Sequence, residues 1–331
     1  MQPDVSVIVV TYNACDHIDR CLDAALGAGG AGVALELLVV DNGSSDGTPA
    51  HVRERWPAAR VVETGRNGGM AAGNNAGMLA AASSSRAFLL LNSDAFLEPD
   101  ALRRMLDRLD AETDRGEPVA AVAPALRNVD GSPQRSVRGF PTVWRYATEF
   151  WYLRRLAPRT RALNAFYGGG LDLQRPRRVE WVTGACMLVP RAAVEDVGLM
   201  DESFFMYGEE VEWFWRMHCV GRTVAWEPRA HVVHVGGGSA GSAKGALYQR
   251  QLANHVLLVA RIRGTRAARR VRRVLVSALR ARAAMWRLSS LLPVGARAAR
   301  AARAAAFAEG ARSVRAVDPT RAPAPRIPER V

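Results

Sequence analysis

The first hundred residues alternate between short apolar runs and polar, glycine-containing breaks. Val5 to Thr11, Leu35 to Val40, Arg60 to Glu63 and Phe88 to Leu91 read as strands. Apolar runs without alternation are what strands buried on both faces look like. Between them lie helical patterns over about Asp16–Leu26 and Pro49–Trp56, and a third that starts in the glycine-rich stretch 65–77 and runs to about Ala82. This order predicts βαβ units and a mostly parallel sheet, with right-handed crossovers placing the strand ends at one edge.

The later chain is less regular. A helix over Pro99–Asp110 carries Leu102, Met105, Leu106 and Leu109 on one face, a stripe that reads as core. Val119–Ala123 is predicted as a strand, and Asn128–Pro133 as a hairpin turn with Arg135 and Arg138 beyond it. Val179–Arg191 reads as one strand with the small pair Gly184-Ala185 inside it, where a ligand or another backbone can come close. Residues 142–173 are aromatic and Arg-rich, with Trp144, Tyr146, Phe150, Trp151 and Tyr152; a partly buried helix with solvated arginines accounts for them as well as a binding surface does. From about Gly245 the pattern is helical, and after Val317 the proline-rich DPTRAPAPRIPERV predicts disorder.

Charge changes this picture at one end only. The net charge is +13, yet residues 261–331 hold eighteen arginines against three acids, which is +15 and leaves −2 for residues 1–260. Lys244 is the only lysine, so part of the arginine excess is coding bias. Arg266, Arg273, Arg280 and Arg287 recur every seven residues, with Val271, Val274, Ala278, Met285 and Leu288 on another face, interrupted by Arg282. A basic amphipathic helix suits an anionic membrane surface, or simply a solvated face. The tail has neither aromatic interleaving nor a known module, so nucleic acid is not an expected partner. Cys15, Cys21, Cys186 and Cys219 form no CxxC pair, which argues for a reducing compartment and against a zinc site. The N-terminus enters a strand pattern at once, which predicts no signal peptide. No apolar stretch is long enough to span a bilayer.

Candidate chemistry collects at the strand ends. The run Phe88–Leu91 stops abruptly in Asn92-Ser93-Asp94. Ligands of open α/β sheets bind outside the carboxyl ends of the strands, and a carboxylate there can hold a hard cation against a diphosphate. The plain alternative is that the tripeptide caps the next helix. Asp41 and Asn42 likewise end the second strand, where an ionised carboxylate could accept from a base or ribose; an Asx-type turn leading to a cap is expected at DNGSSDGT in either case. Gly68, Gly69 and Gly73 allow close backbone approach and positive φ. Their loop matches neither the dinucleotide nor the P-loop pattern.

Taken together, VSVIVVTYN, VVDNGSSDGT, RNGGMAAGNNAG and LLLNSDA resemble, in order and spacing, the family 2 glycosyltransferases, and most closely the bacterial rhamnosyltransferase-like branch. The resemblance covers about residues 4–260. It implies a GT-A fold, a mostly parallel nucleotide-binding sheet flanked by helices with a smaller acceptor side, and inversion at the anomeric carbon. The expected organisation is a GT-A domain over 1–260 (nucleotide-sugar half 1–125, acceptor half 126–260), a basic helical tail over 261–316, and disorder over 317–331.

Residue by residue, the resemblance implies that Thr11 and Asn13 line the nucleotide pocket and that Asp41 contacts the base. Arg66, Asn67, Gly73 and Asn74 would lie near nucleotide and donor sugar, with Asn92 and Ser93 on the donor side of the metal. Asp94 matches the last carboxylate of the family's DxD, which holds Mn2+ or Mg2+; Asn92 stands where the first Asp usually is, which predicts looser metal binding. His234 matches a histidine that completes the metal shell in several relatives, His231 being the weaker candidate. Gly236 to Ser239 would be a mobile loop closing over the diphosphate.

Glu209-Glu210-Val211-Glu212 replaces the usual Glu-Asp-Val-Asp, so by register Glu210 is the general base, with Glu209 as the other candidate. The added methylene leaves the choice open, and the dipole of a helix start would favour acids there anyway. Trp181, Gly184 and Ala185 fall on the acceptor side, and an insert such as 142–173 commonly borders the acceptor in this family. The implied partners are a nucleotide-sugar donor and a saccharide or polyprenyl-diphosphate-linked acceptor at the cytoplasmic face of a membrane. Rhamnose from dTDP-rhamnose leads as donor. A UDP-sugar-dependent galactofuranosyl or hexosyl transferase, or a non-catalytic nucleotide-binding partner in a glycan assembly complex, are the rivals.

Overall fold

The computed structural model describes residues 2–28, 32–236, 244–292 and 296–328. They divide into two compact units: one built from 1–138, 172–241 and 325–331, the other from 139–171 and 242–324. The boundary therefore departs from a domain over 1–260 followed by a tail, because the aromatic insert joins the C-terminal helices in a core of their own.

In the first unit β1 (Val5–Thr11), β2 (Leu35–Asp41), β3 (Arg60–Glu63) and β4 (Ala87–Asn92) form a parallel block, in the order β3-β2-β1-β4, of a sheet of nine strands among the described residues. Helices α1 (Cys15–Gly27), α2 (Thr48–Arg55) and α3 (Gly69–Ala80) make the crossovers. Val7, Val9, Val39, Leu89 and Leu91 are buried in one core with Ile18 and Leu22 of α1. That explains the unbroken apolar runs of β1, β2 and β4, which are covered on both faces, whereas β3 at the sheet edge is only partly buried.

Beyond Asn92 the chain does not enter a helix. A short strand, β5 (Ala95–Leu97), comes first, and α4 (Ala101–Thr113) starts only after Asp100. Asn92-Ser93-Asp94 thus caps nothing. The sheet continues past β4 with β10 (Cys186–Pro190), antiparallel to β4, then β6 (Val119–Arg127), β11 (Thr223–His234) and β5, while β8 (Arg177–Val179) pairs off β11. The predicted single strand over 179–191 is broken, since β9 (Trp181–Val182) leaves the main sheet to pair with β7 (Val137–Arg138). Thr183, Gly184 and Ala185 make the change between sheets. The unit is completed by α7 (Arg191–Val197) and α8 (Glu209–Cys219).

The second unit is helical: α5 (Val143–Phe150), a turn α6 (Arg161–Asn164), the long α9 (Lys244–Ser289) broken at Gly264, and α10 (Arg297–Ala316). Tyr146, Phe150 and Phe166 of the insert pack with Val256, Val259, Val271, Leu275, Leu279 and Val314. The Tyr146 hydroxyl lies 3.0 Å from His255 Nδ1. The amphipathic split of α9 is real: Arg266, Arg273, Arg280 and Arg287 are exposed, while Val271 and Ala278 are buried. It ends early, because Met285 and Leu288 are exposed. No helix of the described residues is long and apolar enough to cross a membrane.

The stretch after Val317 differs from the expected disorder. Asp318 accepts from the Thr320 amide and starts a 3-10 turn, Pro319–Arg321. Arg326 then pairs with the first unit: its amide donates to Asp201 Oδ1 at 2.8 Å, and its carbonyl accepts from the Glu202 amide at 2.9 Å. Fixed backbone partners outweigh composition here.

Candidate active site

The ends of β1 and β2 carry a set of loops that hold one another. Thr11 and Asp41 are register partners at the ends of β1 and β2, both buried. Asp41 Oδ2 accepts from the amides of Gly43 and Ser44 at 3.0 and 2.9 Å, the expected Asx turn. Its Oδ1, like Thr11 Oγ1, is buried with no hydrogen-bond partner among the described residues. A buried carboxylate oxygen left over in this way is open to a donor that the described residues do not supply. Asn13, at φ 50°, bridges the two loops: its amide donates to Ser44 Oγ, and its Oδ1 accepts from the Ser45 amide at 2.8 Å.

The glycine-rich stretch closes the same edge, and its glycines are spent on protein. Gly69 sits at φ +87°, and a Cβ there would lie 1.9 Å from the Phe205 carbonyl oxygen, which accepts from the Met70 amide. Gly73 presses on Val10 and the Asn42 amide, and Gly77 on Ile8, so α3 can lie directly on β1. Asn67 Oδ1 accepts from the Gly69 amide, and Arg66 is exposed, its backbone under Gly43. Asn74 is buried on α3. Asn75, which sequence reasoning passed over, is bonded both ways to the Met200 backbone and donates to Glu202.

At the centre, the Asn92 amide donates to the Ala185 carbonyl at 2.9 Å, while its side-chain Oδ1 is buried without a partner among the described residues. Ser93 and Asp94 are buried. The last residues of β11 run antiparallel to β5, pairing His234 with Ala95. This delivers the ring to the carboxylate, with Asp94 Oδ1 and His234 Nε2 3.4 Å apart. His231 points elsewhere, its ring nitrogens engaged by Glu98 and Arg127. A carboxylate oxygen facing an imidazole nitrogen is a donor set that Mn2+ or Mg2+ accepts, with further positions left for phosphate oxygens and water. Among the described residues no group of three or more His, Cys, Asp or Glu stands together. The loop expected after His234 lies, past Gly236, outside the described residues.

The third side is α8. Tyr207 and Gly208 both have positive φ and turn the chain so that the helix begins on Glu209 and Glu210. Glu209 is buried, and burial together with the charge of Glu210 holds its carboxyl well above the usual range. Glu210 is half-buried; burial raises it too, opposed by backbone N–H groups at the helix start and the nearby Arg138 guanidinium. A Cβ on Gly184 would touch the Glu210 Cβ at 3.8 Å, so Gly184 in the sheet change lies against the stem of that side chain. Trp181, opposite Arg138, is buried with its Nε1 unpartnered among the described residues. Glu212 is structural: it grips Arg216, which also binds the Val197 and Leu199 carbonyls.

A parallel nucleotide-type sheet with Asn-x-Asp at its central strand end and paired carboxylates at a neighbouring helix start is the layout of a GT-A glycosyltransferase. The chain belongs to the family described as Glycosyl transferase family 2, whose profile matches residues 6–198, and it is a glycosyltransferase. It is 31% identical over 242 residues to the N-acetylglucosaminyl-diphospho-decaprenol L-rhamnosyltransferase of Mycobacterium tuberculosis, covering 69% of this chain and 75% of that one. The fold is similar to that of mannosyltransferase PcManGT from Pyrobaculum calidifontis, solved with GDP-Man and Mn2+ (TM-score 0.53, 17% identity, 96% and 88% covered). It is also similar to GalNAc-T7 solved with UDP, GalNAc and Mn2+ (TM-score 0.55, 16% identity), of which the chain spans 47% while 78% of this chain is covered.

Proposed function

We propose that the protein is an inverting, metal-dependent glycosyltransferase that moves rhamnose from dTDP-rhamnose onto a lipid-linked saccharide bearing N-acetylglucosamine, in cell-surface glycan synthesis. The observation that carries the reading is the approach of Asp94 and His234 at the end of β4, with Glu210 against Gly184, the neighbour of the Ala185 carbonyl that Asn92 bonds. The acceptor and donor classes rest on the similarity to the mycobacterial rhamnosyltransferase.

The donor nucleotide would lie along the ends of β1 and β2, its base donating to the leftover Asp41 Oδ1 and its hydroxyls reaching Thr11 and Asn13. Asp94 and His234 would hold a divalent cation, whose chemistry is to offset the charge that builds on the leaving diphosphate. Two carboxyls buried together do not both ionise readily. The base is assigned to Glu210, the less buried of the two, with the Arg138 guanidinium nearby to favour its charged form. Glu210 takes the proton from the acceptor hydroxyl as that oxygen bonds to the anomeric carbon and the bond to the diphosphate breaks. Trp181 and Gly184 would shape the acceptor's seat, with Trp181 Nε1 free to donate to a sugar oxygen.

The exposed arginines of α9, with Met285, Leu288, Leu291 and Leu292 exposed near its end, suit peripheral contact with an anionic membrane that carries the lipid-linked acceptor. A thermal-shift panel of dTDP-rhamnose, UDP-galactofuranose, UDP-glucose and GDP-mannose with Mn2+ tests the donor. Binding raises the apparent stability by about 2.7 kcal/mol at a hundredfold excess over Kd. A larger rise with a UDP-sugar than with dTDP-rhamnose overturns the rhamnosyl assignment.

A further inference from the structure

The hairpin that follows β6 is not part of the family reading of the site, yet it ends on the His234 ring. Gln134 Oε1 lies 2.9 Å from His234 Nδ1, and Gln134 Nε2 donates to the His234 carbonyl at 2.6 Å and to Asn128 Oδ1 at 2.8 Å. Asn128 Nδ2 in turn donates to Ser132 Oγ at 2.8 Å, and Ser132 Oγ donates to Asp130 Oδ1 at 2.6 Å.

Each link in this chain has a fixed direction. An ionised carboxylate only accepts, so the hydroxyl of Ser132 must donate to Asp130 and is left to accept from the amide of Asn128. That turns the carbonyl end of Asn128 toward Gln134. The backbone carbonyl of His234 also only accepts, so both Gln134 N–H groups are consumed and Oε1 can do nothing but accept. The Ser132 hydroxyl and amide hold the Asp130 carboxyl below its ordinary range, which keeps the anchor ionised.

We infer that Gln134 is a positioning residue that fixes the proton of His234 on Nδ1, so that the Nε2 lone pair points at Asp94 and is available to a divalent cation. The hairpin 128–134 is then the outer support of the cation site. Outer partners of metal-binding histidines commonly set the tautomer and ring orientation in this way. This inference rests on the metal-dependent reading above for its purpose, although not for its geometry.

The test uses the full-length, metal-free protein with 15N-labelled histidine at alkaline pH, where a free imidazole is neutral. Long-range 1H–15N spectra of the His234 ring should show the proton on Nδ1 in the wild type and on Nε2, wholly or in part, in Gln134→Leu. Asp130→Ala, on an exposed turn, should shift the same balance less. Apparent Mn2+ affinity in the presence of dTDP or UDP should fall about 10–100-fold in Gln134→Leu. A wild-type proton on Nε2, or a tautomer unmoved in Gln134→Leu, overturns the inference. If instead the tautomer behaves as stated but His234→Ala leaves Mn2+ binding unchanged, the hairpin's role in setting the tautomer stands and the metal reading falls.

Discussion

The two sides of the sheet edge are built on opposite terms. At the ends of β1 and β2, the proposed donor side, nearly every polar group of the described residues is already used: Asp41 Oδ2 on two amides, Asn13 between two loops, Asn42 between Gly69 and Thr64. Only single atoms are left over. At the start of α8, on the proposed acceptor side, two carboxyls are crowded together, both pushed up by burial. The contrast teaches that a rigid, self-satisfied surface is suited to recognising a nucleotide, whereas an electrostatically costly one is suited to moving a proton.

The largest expected effect falls on the costly side. Glu210→Gln should lower turnover by about 10²–10⁴-fold, the usual worth of a general base, while donor-induced thermal shift is retained. Glu209→Gln should cost much less turnover. If the two losses exchange places, the base is Glu209 and the pairing argument is reversed.

A smaller but sharp effect falls on the donor side. Gly69→Ala meets both a positive φ and the Phe205 carbonyl, and should destabilise by roughly 2–5 kcal/mol in urea unfolding. Gly184→Ala has room for its methyl group, so stability should stay within about 0.5 kcal/mol while KM for the acceptor rises. Equal destabilisation at the two glycines would erase the distinction between a packing glycine and a seat for ligand.

The smallest effect is on pH dependence. The native Glu209 carboxyl titrates above its ordinary value of 4.5, so the folded state holds a proton that the unfolded chain has already lost. The associated stability is fully present below 4.5 and fades as pH rises toward the native value. Glu209→Gln, which cannot ionise, should therefore gain on the wild type as pH is raised from 4.5, read as a widening gap in urea midpoints. A constant gap would mean that the native Glu209 carboxyl is not raised at all.

Much of this was legible in the chain. The buried strands were unbroken apolar runs, and their polar ends form the candidate site, because strand ends in such sheets face one edge. The Asx turn at Asp41 followed from its local sequence. What escaped has a common physical cause: it depends on partners far away along the chain. Val182 and Cys186 are both apolar enough for one strand, and only the separate pairing of β9 with β7 reveals the break. Gln134 follows a commonplace turn and gains meaning only from His234, one hundred residues on. The glycines at 69, 73 and 77 signalled close approach without saying to what; Phe205, Val10 and Ile8 answer that. The aromatic insert was undecided because Tyr146 and Phe150 find their core among helices beyond residue 251.

The route of the chain between its two units has an outcome for inheritance and engineering. It leaves the first unit near 138, returns near 172, leaves again near 241 and rejoins it at 325. No single cut separates the units, and no single crossover between two genes can exchange one of them whole. Arg326, whose backbone binds a turn more than a hundred residues earlier, belongs to the unit it was made long after. To exchange the helical unit whole, two separated stretches of sequence would have to be replaced together, because each unit is continuous in space and discontinuous in sequence.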